Sequence, residues 1–387
     1  MKNKCSGPAA CAHVEALAPY VPGLSISEIA ARYGLTQVIK LASNENPLGA
    51  SPLVQEAIRR HASEVFRYPQ SGNPRLCQAI ARLHGLKPEN IVVGNGSDEL
   101  IDLLMRVMAL PGQDNVVCFR PCFGIYPVQA VINNLELRRQ PLKEDFSFDF
   151  DGLLPLVDDK TRLVFITTPD NPSGYCPSMP EVAKVAEELA KIAPRALLVI
   201  DEAYMDFTEN EKGFSLLANH KLPPNVAFLR TFSKSWGLAG LRIGYMVIPA
   251  QLANVLWRAR LPFSVNILAE EAAMAALQDH MFRECCLETV KKERKWLSGA
   301  LEDAGCKVYP SGGNFIMFAL PADSISTKEC FESLLRAGII IRMLGSYDLP
   351  DLMRVSIGRH DENMRFILTL KAVLDGVASE TVANNHN

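Results

Sequence analysis

Through residues 91–260, apolar runs of strand length alternate with amphipathic segments of helix length. The runs Ile91–Gly94, Asn115–Phe119, Leu163–Thr167, Ala196–Ile200, Val226–Leu229 and Tyr245–Ile248 predict strands. Helical periodicity over Glu99–Leu110, Glu181–Ile192 and Leu252–Arg260 lies between them. Short strands apolar on both faces, set between helices, predict a parallel or mostly parallel sheet covered on both sides. Ligands in such sheets sit beyond the carboxyl ends of the strands, so the residues just after each strand matter most. The C-terminal portion is different. A long helical stretch near Ile267–Gly305 precedes strands Lys307–Tyr309 and Phe315–Ala319. A helix near Lys328–Ala337, strands Ile339–Arg342 and Leu352–Ile357, and a last helix from Asp361 complete it. This pattern predicts a smaller α+β domain. No internal repeat, low-complexity tract or heptad run interrupts the chain.

Composition narrows the picture. The 387 residues carry 40 Lys+Arg against 43 Asp+Glu, and 48% are hydrophobic. That apolar content excludes disorder as the main state. The near-zero net charge of −3 argues against a dedicated nucleic-acid binder. No apolar run approaches the ~20 residues that span a bilayer. Met1–Pro22 has lysines at 2 and 4 but no apolar core after them, so no secretory signal is expected and the cytoplasm is the expected compartment. Ten scattered cysteines form no CxxC pair. They are expected to be buried, reduced thiols, and no metal site is expected.

Four strand ends carry chemistry. Ile91–Gly94 runs into Asn95-Gly96-Ser97-Asp98-Glu99 and a helix, a helix N-terminus able to hold a phosphate. The third glycine of a dinucleotide fingerprint is missing. Leu163–Thr167 runs into Thr168-Pro169-Asp170-Asn171-Pro172-Ser173-Gly174, a stiff loop with Asn171 at its tip. Ala196–Ile200 ends on Asp201, followed by Glu202-Ala203-Tyr204. A carboxylate at a buried strand end is costly unless it meets a cation. After Val226–Leu229 come Arg230-Thr231-Phe232-Ser233-Lys234, then a Gly-rich loop ending in Arg242. Thr231, Ser233 and Arg242 suit a dianionic phosphate, and Lys234 could form a Schiff base with an aldehyde.

Each piece alone has an ordinary structural reading, as a helix cap, a turn or a flanking charge. Together they are the parts needed to bind pyridoxal phosphate and use it as an electron sink. Asp201 would keep the pyridine nitrogen protonated. Asn171 and Tyr204 would hydrogen-bond the ring's phenolic oxygen. Lys234 would anchor the aldehyde and move the substrate's proton.

These motifs resemble the fold-type I, pyridoxal-phosphate-dependent aminotransferases of class I/II, and within them most resemble the histidinol-phosphate aminotransferases. The resemblance covers roughly residues 20–376. It rests on Pro19-Tyr20-Val21-Pro22-Gly23, Ser43-Asn44-Glu45-Asn46-Pro47-Leu48-Gly49, Arg67-Tyr68-Pro69, Asp201-Glu202-Ala203-Tyr204, Ser233-Lys234, Arg242-Ile243-Gly244-Tyr245 and Arg354-Val355-Ser356-Ile357-Gly358. It implies an aspartate aminotransferase-like α/β fold, with a mostly parallel seven-stranded large domain at 46–274. It also implies an N-terminal arm at 1–45 that belongs with a small α+β domain at 275–387. Lys234, Asp201 and Tyr204 become the catalytic set. Ser97, Asp98, Phe123, Asn171, Thr231, Ser233 and Arg242 join them around the cofactor, with Phe123 stacked on its ring where many relatives have Tyr. Tyr68 would reach the cofactor phosphate of the neighbouring subunit, which implies a homodimer with shared active sites. Tyr20, Asn46, Arg342 and Arg354 would contact substrate, with Arg354 gripping an anionic end and Arg342 and Tyr20 the substrate phosphate. Thr168-Pro169-Asp170 departs from the Asn-Pro-Asn often found there, but Asn171 is kept.

The reaction this implies moves an amino group from histidinol phosphate to 2-oxoglutarate in histidine biosynthesis. Two alternatives stay open. A threonine-phosphate decarboxylase of cobalamin biosynthesis shares Asn46-Pro47-Leu48-Gly49, Arg67-Tyr68-Pro69 and Leu261-Pro262-Phe263-Ser264-Val265-Asn266. A broad aromatic aminotransferase would use the same ring-plus-anion pocket. A nicotinamide dehydrogenase is disfavoured by the missing glycine and by Lys234.

Overall fold

A computed structural model describes residues 9–18 and 23–376 of the chain. Tyr20 lies outside the described residues.

Seven strands form one sheet: β1 (Ile91–Gly94), β2 (Asn115–Arg120), β3 (Glu136–Pro141), β4 (Thr161–Thr167), β5 (Leu197–Asp201), β6 (Val226–Thr231) and β7 (Gly244–Val247). Their order across the sheet is β1-β7-β6-β5-β4-β2-β3. β7 is antiparallel to both its neighbours, and every other pairing is parallel. Six of the seven are the strands the sequence predicts, to within two residues. The unanticipated one is β3. It is an edge strand with one apolar residue, Leu137, and it presents Glu136, Arg138 and Arg139 instead of an apolar run. Charged, short edges of this kind resist pairing with another chain.

Side-chain alternation along the strands builds two cores and also aims the functional residues. Val164, Ile166, Leu198 and Ile200 face one layer, with the helices Pro74–His84, Met179–Ile192 and Ile267–Gln278. Leu163, Phe165, Leu197, Val199, Ala227 and Leu229 face the other, with Gly96–Met108, Ile125–Ile132 and Ala250–Ala259. Continuing the two-residue period, Thr167, Asp201 and Thr231 all leave their strand ends toward the second layer.

The rest of the chain builds a second, antiparallel sheet of β8 (Lys307–Tyr309), β9 (Phe315–Ala319), β10 (Arg342–Met343) and β11 (Leu352–Ser356), in the order β10-β11-β9-β8. The helices His280–Glu302, Thr327–Arg336 and His360–Leu374 pack Val290, Leu297, Leu334, Phe366 and Leu370 against it. Two expected elements are split. The helical stretch after Ile267 breaks at Asp279, whose carboxylate accepts a 3.1 Å hydrogen bond from the Phe282 amide and caps a new helix. The expected strand Ile339–Arg342 divides. Ile339–Ile340 pairs in parallel with Ile39–Lys40, while Arg342–Met343 joins β11. The N-terminal segment is thereby stitched to the C-terminal part, and Leu41 extends the stitch to Ile340 and Ser356.

Among the described residues, no helix is long and apolar enough to cross a membrane, and no three metal-ligating side chains gather. Nine described cysteines are free thiols, of which Cys118 and Cys122 approach to 3.9 Å.

Candidate active site

The outgoing ends of β1, β4, β5 and β6 and the incoming end of β7 meet at one edge of the large sheet. They line a cavity of about 250 Å³. Ser97, Asp98, Phe123, Asn171, Asp201, Tyr204, Thr231, Ser233, Lys234 and Arg242 all border it, so ten of the sequence-derived residues share one hollow.

Asp201 lies buried at the base. Tyr126 donates its hydroxyl to Asp201 Oδ2 at 2.8 Å, and the Ala203 amide donates to Oδ1 at 3.1 Å. Burial raises the Asp201 carboxyl to about 6, with the Tyr126 hydroxyl opposing the rise. Among the described residues Asp201 makes no salt bridge, and a phenol and an amide hold it instead. Thr167 Oγ1 also meets Tyr126 Oη at 2.8 Å.

Lys234 Nζ donates to the Ser43 carbonyl at 3.0 Å and lies 5.5 Å from the centre of the Tyr204 ring. Burial, with the Arg354 charge adding to it, pulls the ammonium down to about 8. Tyr204 Oη accepts from Asn44 Nδ2 at 3.1 Å. Asn44 sits at φ 55° and is held further by the Ser356 hydroxyl and by Asn314.

The opposite end of the cavity is a cradle of backbone and small side chains. The helix Gly96–Met108 opens with its free amides at Gly96, Ser97 and Asp98. A side chain at Gly96 would come within 2.7 Å of the Arg242 guanidinium, and one at Gly244 within 2.8 Å of the Ser97 amide. Only glycine permits this approach. Arg242, in the left-handed region at φ 53°, reaches Asp98 at 3.1 Å. Thr231 Oγ1 accepts from the Ser233 amide at 3.0 Å, which folds the Lys234 loop back over the strand end.

The two expected substrate arginines, on paired strands of the second sheet, do not line the cavity themselves, and Arg354 adjoins it through Asn171. Arg354, on β11, is buried; it donates to the Ala42 carbonyl at 3.1 Å and to the Asn171 side-chain oxygen. Its Nε has no partner among the described residues. Arg342, on β10, stands directly opposite Arg354 in the register. It is half-buried, with Ser346 Oγ 3.5 Å away.

A family model for aminotransferase class I and II matches residues 36–369. The chain belongs to the class I and II aminotransferases.

A histidinol-phosphate aminotransferase of Nitratidesulfovibrio vulgaris is 56% identical over 356 residues, 92% of this chain and 94% of that one. Among solved structures, histidinol-phosphate aminotransferase from Sinorhizobium meliloti in complex with pyridoxal-5'-phosphate is 27% identical, with a TM-score of 0.84 over 97% of this chain and 99% of that one. An aspartate aminotransferase from Thermotoga maritima, at 20% identity, shares the fold, with a TM-score of 0.80 over 95% of this chain and all of that one.

Other expected residues of this aminotransferase stand outside the cavity. Asn46 donates to the Ser235 carbonyl at 2.9 Å and accepts from the Leu48 amide at 2.8 Å, so both ends of its side chain hold backbone. Tyr68 is 82% exposed and stacks on Phe263 with ring centres 4.8 Å apart. Sequence reading missed Tyr126, Ser43 and Asn44. Tyr126 had a signal: it lies three residues beyond Phe123, one helical turn on, so the two rings meet edge to face at 5.8 Å. Ser43 acts through its carbonyl, which no residue-type signal reveals.

Proposed function

We propose that this chain is a histidinol-phosphate aminotransferase that uses pyridoxal phosphate and passes the amino group to 2-oxoglutarate. The observation that carries the reading is the presence, in one cavity, of the Lys234 amine, its pKa pulled down to about 8, and the buried Asp201 carboxylate, which makes no salt bridge among the described residues. The residues fit the cofactor. Asp201 offers the counter-charge for a protonated ring nitrogen. Gly96, Ser97, Thr231, Ser233 and Arg242 form a cradle that a single Cβ at Gly96 or Gly244 would fill, as expected for a phosphate held by backbone. Phe123 offers a flat face for the ring. When bound, the cofactor supplies an electron sink for the substrate carbanion.

The chain's own groups do the rest. Lys234 Nζ, with its pKa lowered to about 8, would take the proton from the donor's Cα and deliver it to the cofactor's former aldehyde carbon. Tyr204 and Asn171, on the loops that follow the neighbouring strands β5 and β4, would orient the cofactor ring by hydrogen bonds. Arg354 and Arg342 supply positive charge for the substrate's anionic end. Like charges directly opposite on paired strands repel one another, and a bound phosphate or carboxylate relieves that repulsion.

The same reading makes the protein a cytoplasmic homodimer. Val65, Phe66, Tyr68, Leu261 and Phe263 are all exposed apolar residues, and they come from two segments that meet at the Tyr68–Phe263 stack. Such a patch suits a second copy of the chain. Ile39–Lys40, paired in parallel with Ile339–Ile340, joins the N-terminal segment to the part 275–387 beside the 46–274 domain.

The test is a donor screen with histidinol phosphate, phenylalanine and threonine phosphate, scoring glutamate formation against release of CO₂. Fastest glutamate formation with histidinol phosphate supports the reading. Fastest CO₂ release from threonine phosphate would replace it with decarboxylation.

A further inference from the structure

Next to the lysine lies a charged cluster that the chemistry above does not use. Arg230, on β6, is buried, and its guanidinium reaches Glu202 at 2.6 Å, Asp206 at 3.0 Å and Glu211 at 2.8 Å. Asp206 Oδ1 also accepts from Arg283 at 3.0 Å. Arg283 belongs to the helix His280–Glu302 of the C-terminal part and lies over the Trp236 ring at 4.8 Å. The other oxygen of Asp206 accepts from the Ser235 hydroxyl. The two guanidinium groups hold the Asp206 carboxyl down at about 2 against its burial, so it stays ionised and its grip on Ser235 persists at any working pH.

Ser235 follows Lys234 directly, and it is pinned at two points. Its hydroxyl is held by Asp206, and its carbonyl is held by Asn46 from the N-terminal segment. Asn46 thus meets Ser235 directly, and the C-terminal helix is linked to it through Arg283 and Asp206. We propose that Asp206 is a positioning residue for Lys234, acting through Ser235, and that Arg283 ties this setting to the C-terminal part. The proposal rests on the cofactor reading of Lys234. Neither Asp206 nor Ser235 borders the cavity, so neither touches cofactor or substrate directly.

The charged groups that face Lys234 itself are Arg354, Glu45, Arg242 and Asp98, with Asp201 across the cavity. Ser235→Ala changes none of them. A shift in the lysine's titration in that variant therefore reports position and not a lost charge. The experiment uses the full chain loaded with pyridoxal phosphate and follows the visible absorbance of the lysine-bound cofactor against pH, alongside kcat, KM and the thermal midpoint. Lys234→Ala, which should show no such band, checks the cofactor reading independently.

For Ser235→Ala the expected result is a titration midpoint displaced by about half a unit or more. kcat should fall ~10-fold or more with KM for the amino donor within about twofold, because a misplaced proton carrier slows chemistry more than it weakens binding. Asp206→Asn should do the same, and the double variant should go no further than the larger single effect, since both act through one contact. Asp206→Glu should recover part of the midpoint. A lowered thermal midpoint with unchanged titration and kcat would overturn the proposal, as would additive effects in the double variant. If Asp206→Asn fails to fold, Ser235→Ala decides alone, because it removes one hydroxyl.

Discussion

The hydroxyl of Tyr126 donates a 2.8 Å hydrogen bond to Asp201 Oδ2. Among the described residues it is the one side-chain donor on a buried carboxylate already lifted to about 6. Hydrogen bonds to charged acceptors contribute roughly 1.5–3 kcal/mol. Tyr126→Phe should therefore push the Asp201 carboxyl further up and weaken cofactor retention roughly tenfold or more. Dialysis against a pH series reads this directly. Retention should be lost as pH falls through about 6 in the parent, and at higher pH in the variant. Equal midpoints would mean that Tyr126 does not support Asp201.

The same carboxyl makes a stability prediction for the cofactor-free chain. Its folded pKa lies above the unfolded value of about 3.9, so the folded state holds the extra proton between about 4 and about 6. Asp201 therefore lowers stability as pH rises across that window, by at most about 3 kcal/mol. Asp170, also raised to about 6 by burial, acts with the same sign. Denaturant unfolding at pH 4.5 and 6.5 should show Asp201→Asn removing part of the decline. A decline of the parent's full size in that variant would rule Asp201 out as its source.

Much of this site was legible because β4, β5 and β6 are apolar on both faces and end abruptly on Thr167, Asp201 and Thr231. A two-residue period then fixes which layer those ends address. β3 escaped because an edge strand carries charges and not an apolar run. The Asp279 break escaped because apolar periodicity continues on both sides and only the cap marks the join. Asn46 is expected at the substrate because the family resemblance implies it there. The fold instead turns its amide onto Ser235, a partner 189 residues away. Contacts between distant backbone atoms leave no local pattern to read.

Lys234 carries a prediction in pH. Burial is the main cause of its lowered pKa of about 8, and Arg354 adds to it. Only the neutral amine can attack the cofactor aldehyde. Reloading of the cofactor-free chain with pyridoxal phosphate should thus speed up as pH rises through about 8. Arg354→Gln removes one of the lowering charges and should move that midpoint upward. Stopped-flow absorbance measures both, and a midpoint unmoved or lowered in the variant would contradict the assignment.

Arg342 and Arg354, facing one another across β10 and β11, should separate by substrate. Arg354 is buried and bonded to Asn171 and Ala42, so its replacement should harm every amino donor and the 2-oxo acid alike. Arg342 is half-buried and lightly bonded. Arg342→Ala should raise KM for histidinol phosphate ~10-fold or more, the range of a lost charge-assisted contact, and leave phenylalanine within about twofold. Equal losses on both donors would remove Arg342 from the phosphate site.

Tyr68 tests the shared site. It stands 82% exposed beside Phe263 and outside the cavity of its own chain, so any contact it makes with a cofactor must be with a neighbour's. Lys234→Ala and Tyr68→Ala subunits should each be weak as homodimers. In a mixed dimer, one site holds an intact lysine and receives Tyr68 from the other subunit, and the second site lacks both. Random mixing at equal amounts makes half of the dimers mixed, so activity should rise to about a quarter of the parent value. If Tyr68 served its own subunit, no mixed site would hold both residues and mixing would restore nothing. Phe263→Asp, which places a charge inside the apolar patch, should dissociate the dimer in sedimentation and abolish the rescue together, because both depend on the same surface.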